Sequence, residues 1–190
     1  MKLLHLDSAI TGDNSISRKL SASIVTHLTV ANPGLTITYR DLVAAPIDHL
    51  TLSVMPTPGA STATLDEFLD TDIVVIGAPM YNFTVPTQLK AWIDRILVAG
   101  KTFRYGEAGP TGLAGDKRVI IAVTRGGLYG ADTPAAGAEH LETYLSTVFG
   151  FIGVVPEFVI AEGMLLGPVQ LEAAIAHTRK KVSEIFVGAE

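Results

Sequence analysis

The chain of 190 residues contains no cysteine. Disulfide bonds, thiolate nucleophiles and cysteine-ligated zinc or iron–sulfur sites are therefore excluded, and any redox chemistry must come from a bound cofactor. The five histidines do not show the spacing of metal ligands, so we predict no metal site and assign them no role.

Charged residues are also scarce, because they make up 17% of the chain against 48% hydrophobic residues, with a net charge of -5. No run of lysine or arginine is present to neutralise the phosphates of a nucleic acid, so we expect no nucleic-acid partner. No apolar run approaches the roughly 18 residues that a membrane span requires. His5 and Asp7 interrupt the apolar start of the chain, which argues against a signal peptide and for a cytoplasmic protein without a membrane partner.

Apolar runs of strand length alternate with longer amphipathic segments along the whole chain, which is typical of βαβ units. This pattern predicts strands over residues 3–6, 35–39, 73–76, 119–123 and 154–161. It predicts helices over residues 17–29, 65–70, 86–97, 138–149 and 168–187, an irregular loop over residues 46–63 and a small hairpin from residue 102. We find no repeat or linker, so residues 1–190 are predicted to form one doubly wound α/β domain.

In a doubly wound sheet, ligands bind at the carboxyl ends of the strands, beside the point where the strand order reverses. This rule selects three loops of the predicted fold, which are residues 7–17, 78–85 and 124–130.

The first loop is rich in hydroxyl side chains and leads directly into a helix. The amino end of a helix offers free backbone N–H groups and a positive dipole, so Ser15 and Ser17 lie where a phosphate can bind. The chain has neither G-x-x-x-x-G-K-[ST] nor G-x-G-x-x-G, so the single phosphate of FMN fits better than ATP or NAD. The alternative is that Ser15 or Ser17 only caps the helix.

The second loop places Met80, Tyr81, Asn82 and Phe83 directly after a wholly apolar strand. Large amphipathic side chains are costly to expose there, and a stacked heteroaromatic ligand with polar edges would explain them. The alternative is that Met80 and Phe83 simply cover the core beneath them.

The third loop contains Thr124, Arg125, Gly126 and Gly127. Two glycines allow the backbone to come close to a ligand, and a positive charge at Arg125 would stabilise a reduced, anionic flavin. The alternative is that the glycines form only a turn and that Arg125 is a surface residue.

Several short motifs occur in a specific order along nearly the whole chain. They are LDS (6–8), SIS (15–17), APMYNF (78–83), TQLK (87–90), TFRY (102–105), TRGG (124–127), YL (144–145), FGFIG (149–153) and AEG (161–163). Together they resemble the FMN-dependent NADH-azoreductase family, relatives of the NAD(P)H:quinone oxidoreductases. The resemblance implies a flavodoxin-like fold with a five-stranded parallel sheet and helices on both faces.

The resemblance also implies roles for particular residues. Ser8, Ser15, Ile16 and Ser17 would hold the FMN phosphate, and the second and third loops would line the isoalloxazine ring. Asn82, Tyr105 and Phe151 would lie at the catalytic centre, with Tyr105 on the substrate side of the ring. Phe151 would reach the flavin of the neighbouring subunit in a homodimer, and the apolar tract of residues 144–152 is expected at that interface.

The implied reaction has two stages, in which NADH gives hydride to FMN and leaves, and a quinone or azo compound then accepts two electrons. Three alternatives stay open at this point. They are an NADPH-preferring quinone or FMN reductase of the same fold, a flavodoxin-type electron carrier that serves a protein partner, and a module without a cofactor.

Overall fold

A computed structural model describes residues 1–186. The last helix ends at Ser183, earlier than the predicted end at Val187, and Val187 and Gly188 themselves lie outside the described residues. The strands are β1 (Lys2–Asp7), β2 (Thr36–Asp41), β3 (Ile73–Pro79), β4 (Phe103–Gly106), β5 (Gly109–Gly112), β6 (Arg118–Thr124) and β7 (Glu157–Ala161). The α-helices are α1 (Ile16–Ala31), α2 (Ala63–Leu69), α3 (Thr87–Ile96), α4 (Glu142–Phe151) and α5 (Pro168–Ser183).

Five strands form one parallel sheet in the order β2-β1-β3-β6-β7. This is the flavodoxin-like order, in which the crossover direction reverses between β1 and β3. The predicted doubly wound five-stranded α/β fold is therefore confirmed. None of the helices within residues 1–186 is long and apolar enough to cross a membrane.

Alternating side chains of the central strands build two separate cores. Val74 and Ile76 of β3 pack with α2, α3 and α4 on one face, and Ile73 and Val75 pack with α1 and α5 on the other. Both faces of the sheet are thus covered, which explains why the central strands appear in the sequence as continuous apolar runs.

Two predicted boundaries move, each for a local chemical reason. The chain forms a short 3-10 turn at Ala136–Ala138, and α4 begins only at Glu142, because the Glu139 carboxylate accepts the first N–H groups of that helix. β7 begins at Glu157 rather than at residue 154, since Pro156 has no N–H to give to a strand ladder.

The predicted irregular loop of residues 46–63 is confirmed up to Thr62, whose hydroxyl caps α2 by accepting from the Leu65 N–H. Arg95 of α3 fastens this loop, because its guanidinium donates to the carbonyls of Asp48 at 2.8 Å and Val54 at 2.7 Å. These two hydrogen bonds therefore tie the backbone of the long loop to α3.

The directions of the helices decide where the chain's later segments lie. Each helix starts at the carboxyl edge of the sheet and runs back to the amino edge, where β4 and β5 form an antiparallel hairpin before β6 begins. The hairpin packs on the end of α4. Just after β5, Ala114 donates its N–H to the Ile152 carbonyl at 2.9 Å. The predicted hairpin is thus confirmed and lies at the amino edge.

The close contact between Gly112 of β5 and Gly153 after α4 gives a testable consequence. A Cβ on residue 112 would lie 2.1 Å from the Gly153 nitrogen, so Gly112→Ala must push the hairpin away. We expect it to lower the free energy of unfolding by about 1–3 kcal/mol. Urea unfolding followed by Trp92 fluorescence measures this, and Gly34→Ala, which meets open space, is the matched control. Equal small effects of both substitutions would contradict the described packing.

Candidate functional site

The three loops selected from the sequence meet at the carboxyl edge of the sheet. The Ile10 N–H in the first loop donates to the Tyr81 hydroxyl at 3.2 Å, which joins it to the second loop. The Met80 N–H donates to the Thr124 carbonyl at 2.8 Å, and this hydrogen bond joins the second loop to the third. The predicted residues of all three loops therefore lie together at the carboxyl edge, beside the switch point between β1 and β3. The rule for doubly wound sheets expects a ligand crevice at this position, which we call the crevice.

The amino end of α1 retains unused hydrogen-bond donors. Ser15 is the N-cap of α1, and its hydroxyl accepts from the Arg18 N–H at 3.2 Å and pairs with the Ser17 hydroxyl at 2.9 Å. One of these two hydroxyl protons is used between the pair, so the other stays available. Within residues 1–186, no acceptor engages the backbone N–H of Ile16 or Ser17.

The helix cap is therefore present at Ser15, and it leaves donors at the same residues for the expected anion. Two backbone N–H groups, one hydroxyl proton and the positive end of the α1 dipole all lie where a phosphate monoester would need donors. A phosphate with several acceptor oxygens fits this set, and the donors need no charged side chain.

The Ser8 side chain differs from its expected role as a phosphate ligand. Its side chain is fully buried, and its hydroxyl donates to the Gly77 carbonyl at 2.7 Å. The single proton of this hydroxyl is committed within the fold, so the prediction that the Ser8 side chain donates to the phosphate conflicts with this hydrogen bond. Ser8 has only its backbone left to offer to a ligand.

The second loop contains a strained two-residue turn. Tyr81 and Thr84 exchange both backbone hydrogen bonds, and the two residues between them have positive φ, 46° at Asn82 and 73° at Phe83. Asn tolerates this conformation, whereas Phe adopts it at a cost of about 1 kcal/mol or more. Such strain persists only where the surrounding structure imposes it and is found mostly at ligand sites.

The side chains of this turn differ in their surroundings. Met80 packs against the core below, which supports the alternative interpretation of that residue. Phe83 is 51% exposed, so the idea that it covers the core is wrong. Its ring instead meets the edge of the Tyr129 ring from the third loop, with 6.4 Å between centroids. An exposed aromatic ring and the exposed Asn82 amide therefore border the crevice.

Arg125 in the third loop is buried and surrounded by acids. Its side chain is 2% exposed, and its guanidinium contacts the carboxylates of Glu139 at 3.2 Å, Glu162 at 3.5 Å and Glu142. The interpretation as a surface residue is wrong. The positive charge that was expected to act on a flavin is balanced by three carboxylates of the chain itself.

These ion pairs organise the third loop and α4 together. Burial alone would raise the pKa of Glu139, but the N–H donors of α4 and the Arg125 guanidinium together hold that pKa below its usual value. Glu162, the residue after β7, also accepts the Tyr129 N–H at 3.0 Å. Arg125 thus contributes to the site by joining the third loop to the start of α4 and to the segment after β7.

The two glycines of the third loop serve the fold as well. The carbonyls of Gly126 and Gly127 accept from the N–H groups of Leu165 at 3.0 Å and Gly163 at 2.8 Å. A Cβ on residue 126 would lie 2.8 Å from Leu165 Cδ1. The pair is therefore more than a turn, since it allows the loop to pack on the segment after β7.

Tyr105 and Phe151 do not join this crevice within one chain. The Phe151 ring packs on Phe103 with 4.5 Å between centroids, and Phe103 in turn contacts Tyr105 at 5.5 Å. These rings lie at the amino edge of the sheet, and α4, which spans 10 residues and so about 15 Å, separates that edge from the three loops. The expected position of Tyr105 on the substrate side of the ring is therefore not reached within one chain.

The apolar tract of residues 144–152 also differs from the expectation. Leu145, Phe149 and Ile152 are buried in the chain's own core, and the outward positions of α4 are small or polar: Thr143, Ser146, Thr147 and Gly150. The tract therefore exposes less apolar area than its composition suggests.

A groove of about 960 Å³ lies between α4 and α5, beside β7, the edge strand of the sheet. Its ionisable lining residues are Arg125, Glu139, Glu142, Glu162 and His177. Acidic side chains outnumber the basic ones, and the groove does not lie at the switch point, so it does not suit the phosphate of a nucleotide. The groups of acids within residues 1–186 do not form a metal site.

A polar cluster behind the first loop was missed by the sequence analysis. Arg18 forms a bidentate pair with Asp41 at 2.7 and 2.9 Å, and this hydrogen-bonded guanidinium lowers the pKa of Asp41 to about 2. The sequence did contain a signal for this cluster, because His5 and Asp7 alternate with leucines along a strand that is otherwise predicted to be buried. Buried ionisable residues of this kind need partners.

Comparison with known proteins agrees with this geometry. Residues 1–186 match the model of a family described as having a flavodoxin-like fold. The FMN-dependent NADH:quinone oxidoreductase 2 of Bradyrhizobium diazoefficiens is 58% identical over 190 residues, covering 93% of this chain and 94% of that protein. The FMN-dependent NADH:quinone oxidoreductase of Gluconacetobacter diazotrophicus is 53% identical, covering 98% of this chain and all of that protein (100%).

Two solved structures extend the agreement to three dimensions. Azoreductase AzrA superposes with a TM-score of 0.86 at 29% identity, covering 97% of this chain and 98% of that one. An azoreductase from Bacillus anthracis superposes with a TM-score of 0.87 at 28% identity, covering 97% of both chains. On its fold, on the position of its crevice and on these identities, the chain belongs to the flavodoxin-like family of FMN-dependent NADH:quinone oxidoreductases, as its motifs had indicated.

Proposed function

We propose that the chain is an FMN-dependent NADH:quinone oxidoreductase that also reduces azo compounds. The observation that carries this proposal is the set of unused donors at the amino end of α1, beside the switch point of a parallel sheet. Its relatives are named as FMN-dependent NADH:quinone oxidoreductases, and its structural neighbours are named as azoreductases. The whole chain serves as one FMN-binding domain, and its predicted location is the cytoplasm.

The residues divide the binding of FMN between two ends of the crevice. The N–H groups of Ile16 and Ser17 and the free hydroxyl of the Ser15–Ser17 pair hold the phosphate. The turn at Asn82 and Phe83 and the backbone of residues 124–127 border the isoalloxazine. When bound, FMN accepts hydride from NADH and passes two electrons to the acceptor.

The protein's share of the catalysis is binding, orientation and exclusion of water. The Asn82 amide can donate to and accept from a ring edge, and the strained turn fixes its direction. Arg125 contributes no free charge, so the groups that would stabilise charge on a bound cofactor are neutral donors, namely the Asn82 amide and backbone N–H groups.

The site is completed by a second copy of the chain. Within one chain, Phe151 and Tyr105 lie at the edge of the sheet opposite to the crevice. A twofold axis that sets two copies antiparallel brings the amino edge of one beside the carboxyl edge of the other. The small outward residues of α4 permit close approach at such an interface.

The function is tested by rapid mixing of the FMN-loaded protein with NADH alone. One crevice must serve donor and acceptor in turn, so we expect the flavin absorbance to bleach before any quinone is added. Steady-state rates should give parallel double-reciprocal lines. Bleaching that requires the acceptor would contradict the shared site, and NADPH in place of NADH measures which dinucleotide is preferred.

The phosphate assignment is tested by Ser17→Ala. Loss of the hydroxyl pair should weaken FMN binding about tenfold or more, because a hydrogen bond to a charged group contributes roughly 1.5–3 kcal/mol. Titration of the apoprotein by quenching of FMN fluorescence measures the Kd. Thr26→Ala, which removes an exposed hydroxyl farther along α1, is the control. Equal affinities of the two variants would refute the assignment.

The role of Phe151 is tested by Phe151→Ala. We expect a change in the KM for quinone or in kcat, with FMN affinity altered by less than about twofold, because the phosphate donors lie at the other edge of the sheet. Sedimentation and assays over a range of protein concentrations show whether activity follows the dimer. Phe186→Ala, another partly exposed aromatic, is the control. A fully active monomer would overturn the composite site.

A further inference from the structure

Arg18 is the third residue of α1, so its positive charge lies in the first turn of the helix whose amino end is proposed to bind the phosphate. The simplest expectation for a basic side chain there is direct contact with the anion. Both terminal nitrogens of its guanidinium are, however, committed within the fold. One donates to the Tyr39 hydroxyl at 3.1 Å and to Asp41 at 2.7 Å, and the other donates to Asp41 at 2.9 Å and to the Ala9 carbonyl at 2.9 Å.

Asp41 is the centre of this arrangement. Besides both nitrogens of Arg18, its carboxylate accepts the backbone N–H groups of Val43 at 2.9 Å and Ala44 at 3.2 Å. The pair is mostly shielded from water, with side-chain exposures of 15% for Arg18 and 23% for Asp41. A planar guanidinium facing a carboxylate in this way fixes direction as well as charge.

A second set of hydrogen bonds anchors the pair to the buried end of β1. The Tyr39 hydroxyl, which accepts from Arg18, donates to Asp7 at 3.1 Å. Asp7 also accepts from the Ser21 hydroxyl at 2.8 Å, and that hydroxyl lies 2.9 Å from His5 Nε2. Asp7 ends β1 and is the first residue of the first loop, so the guanidinium is held both by β2 through Asp41 and by the end of β1 through Tyr39 and Asp7.

We propose that Arg18 is a positioning residue for the cofactor phosphate, which holds the first loop in its binding shape through Ala9 and Asp41. This inference rests on the proposed function, because it assumes that the phosphate binds at the amino end of α1. Ala9 lies between Ser8 and the Ser15–Ser17 pair, so the hydrogen bond to its carbonyl ties the guanidinium directly to the loop. We call the Arg18–Asp41 pair, with its hydrogen bond to Ala9, the clamp. The phosphate itself is held by N–H and O–H donors that the clamp keeps in place.

The competing explanation is that Arg18 attracts the phosphate by its charge, and the two explanations predict opposite results. Asp41→Asn removes the carboxylate that neutralises Arg18. A charge effect would then strengthen FMN binding, whereas loss of the clamp would weaken it. Arg18→Lys keeps the charge but loses the bidentate geometry, so only a charge effect would be preserved.

The experiment compares FMN with riboflavin, which lacks the phosphate, in fluorescence titrations of the apoprotein. We expect Arg18→Lys and Asp41→Asn each to weaken FMN binding about tenfold or more and to change riboflavin binding by less than about twofold. Arg40→Lys is the matched control, because Arg40 neighbours Asp41 in β2 but pairs with Glu67. Circular dichroism and thermal unfolding check that each variant is folded.

The outcomes separate this inference from the proposed function. Tighter FMN binding by Asp41→Asn, or unchanged binding by Arg18→Lys, would overturn the clamp. An equal loss for FMN and riboflavin would also overturn it, since that result indicates a general structural defect. If Ser17→Ala leaves FMN affinity unchanged, the assignment of the phosphate to the amino end of α1 fails, and the inference about Arg18 fails with it.

Discussion

The unused N–H groups at the amino end of α1 are the constraint on which the site depends. A helix cannot satisfy its first N–H groups internally, and the parallel sheet places this helix start beside the crevice between β1 and β3. Within residues 1–186, the N–H groups of Ile16 and Ser17 are left without acceptors, and Ser15 caps the helix instead. In the proposed site, a phosphate would therefore enter a set of donors that the fold has already oriented.

The two arginines nearest to these donors offer no unpaired positive charge. Arg18 and Arg125, which both lie near the crevice, are neutralised, Arg18 by Asp41 and Arg125 by three glutamates. The donors left for the proposed cofactor are backbone N–H, hydroxyl and amide groups, which bind an anion through dipoles. This agrees with the small fraction of charged residues, 17%, and it means that both arginines act on the ligand only through the loops that they hold.

Local patterns predicted the sheet, the helices and the three loops, because alternation, helical periodicity and turn residues act over short stretches of chain. The roles of Arg18, Arg125 and Ser8 could not be predicted in this way. Each depends on a partner distant in sequence, such as Asp41, Glu162 or the Gly77 carbonyl. Which side of a loop a polar residue faces is decided by those partners, and residue type alone does not reveal it.

The position of Phe151 follows from the same topology. Because every crossover helix runs from the carboxyl edge back to the amino edge, a residue at the end of α4 cannot reach the crevice of its own chain. A single copy thus carries the proposed phosphate donors of α1, here called the cradle, at one edge. It carries the aromatic cluster of Phe103, Tyr105 and Phe151 at the other edge. In the proposed dimer, an antiparallel pairing of two copies brings the cradle of one beside the aromatic cluster of the other, and a twofold axis does so twice with one contact surface.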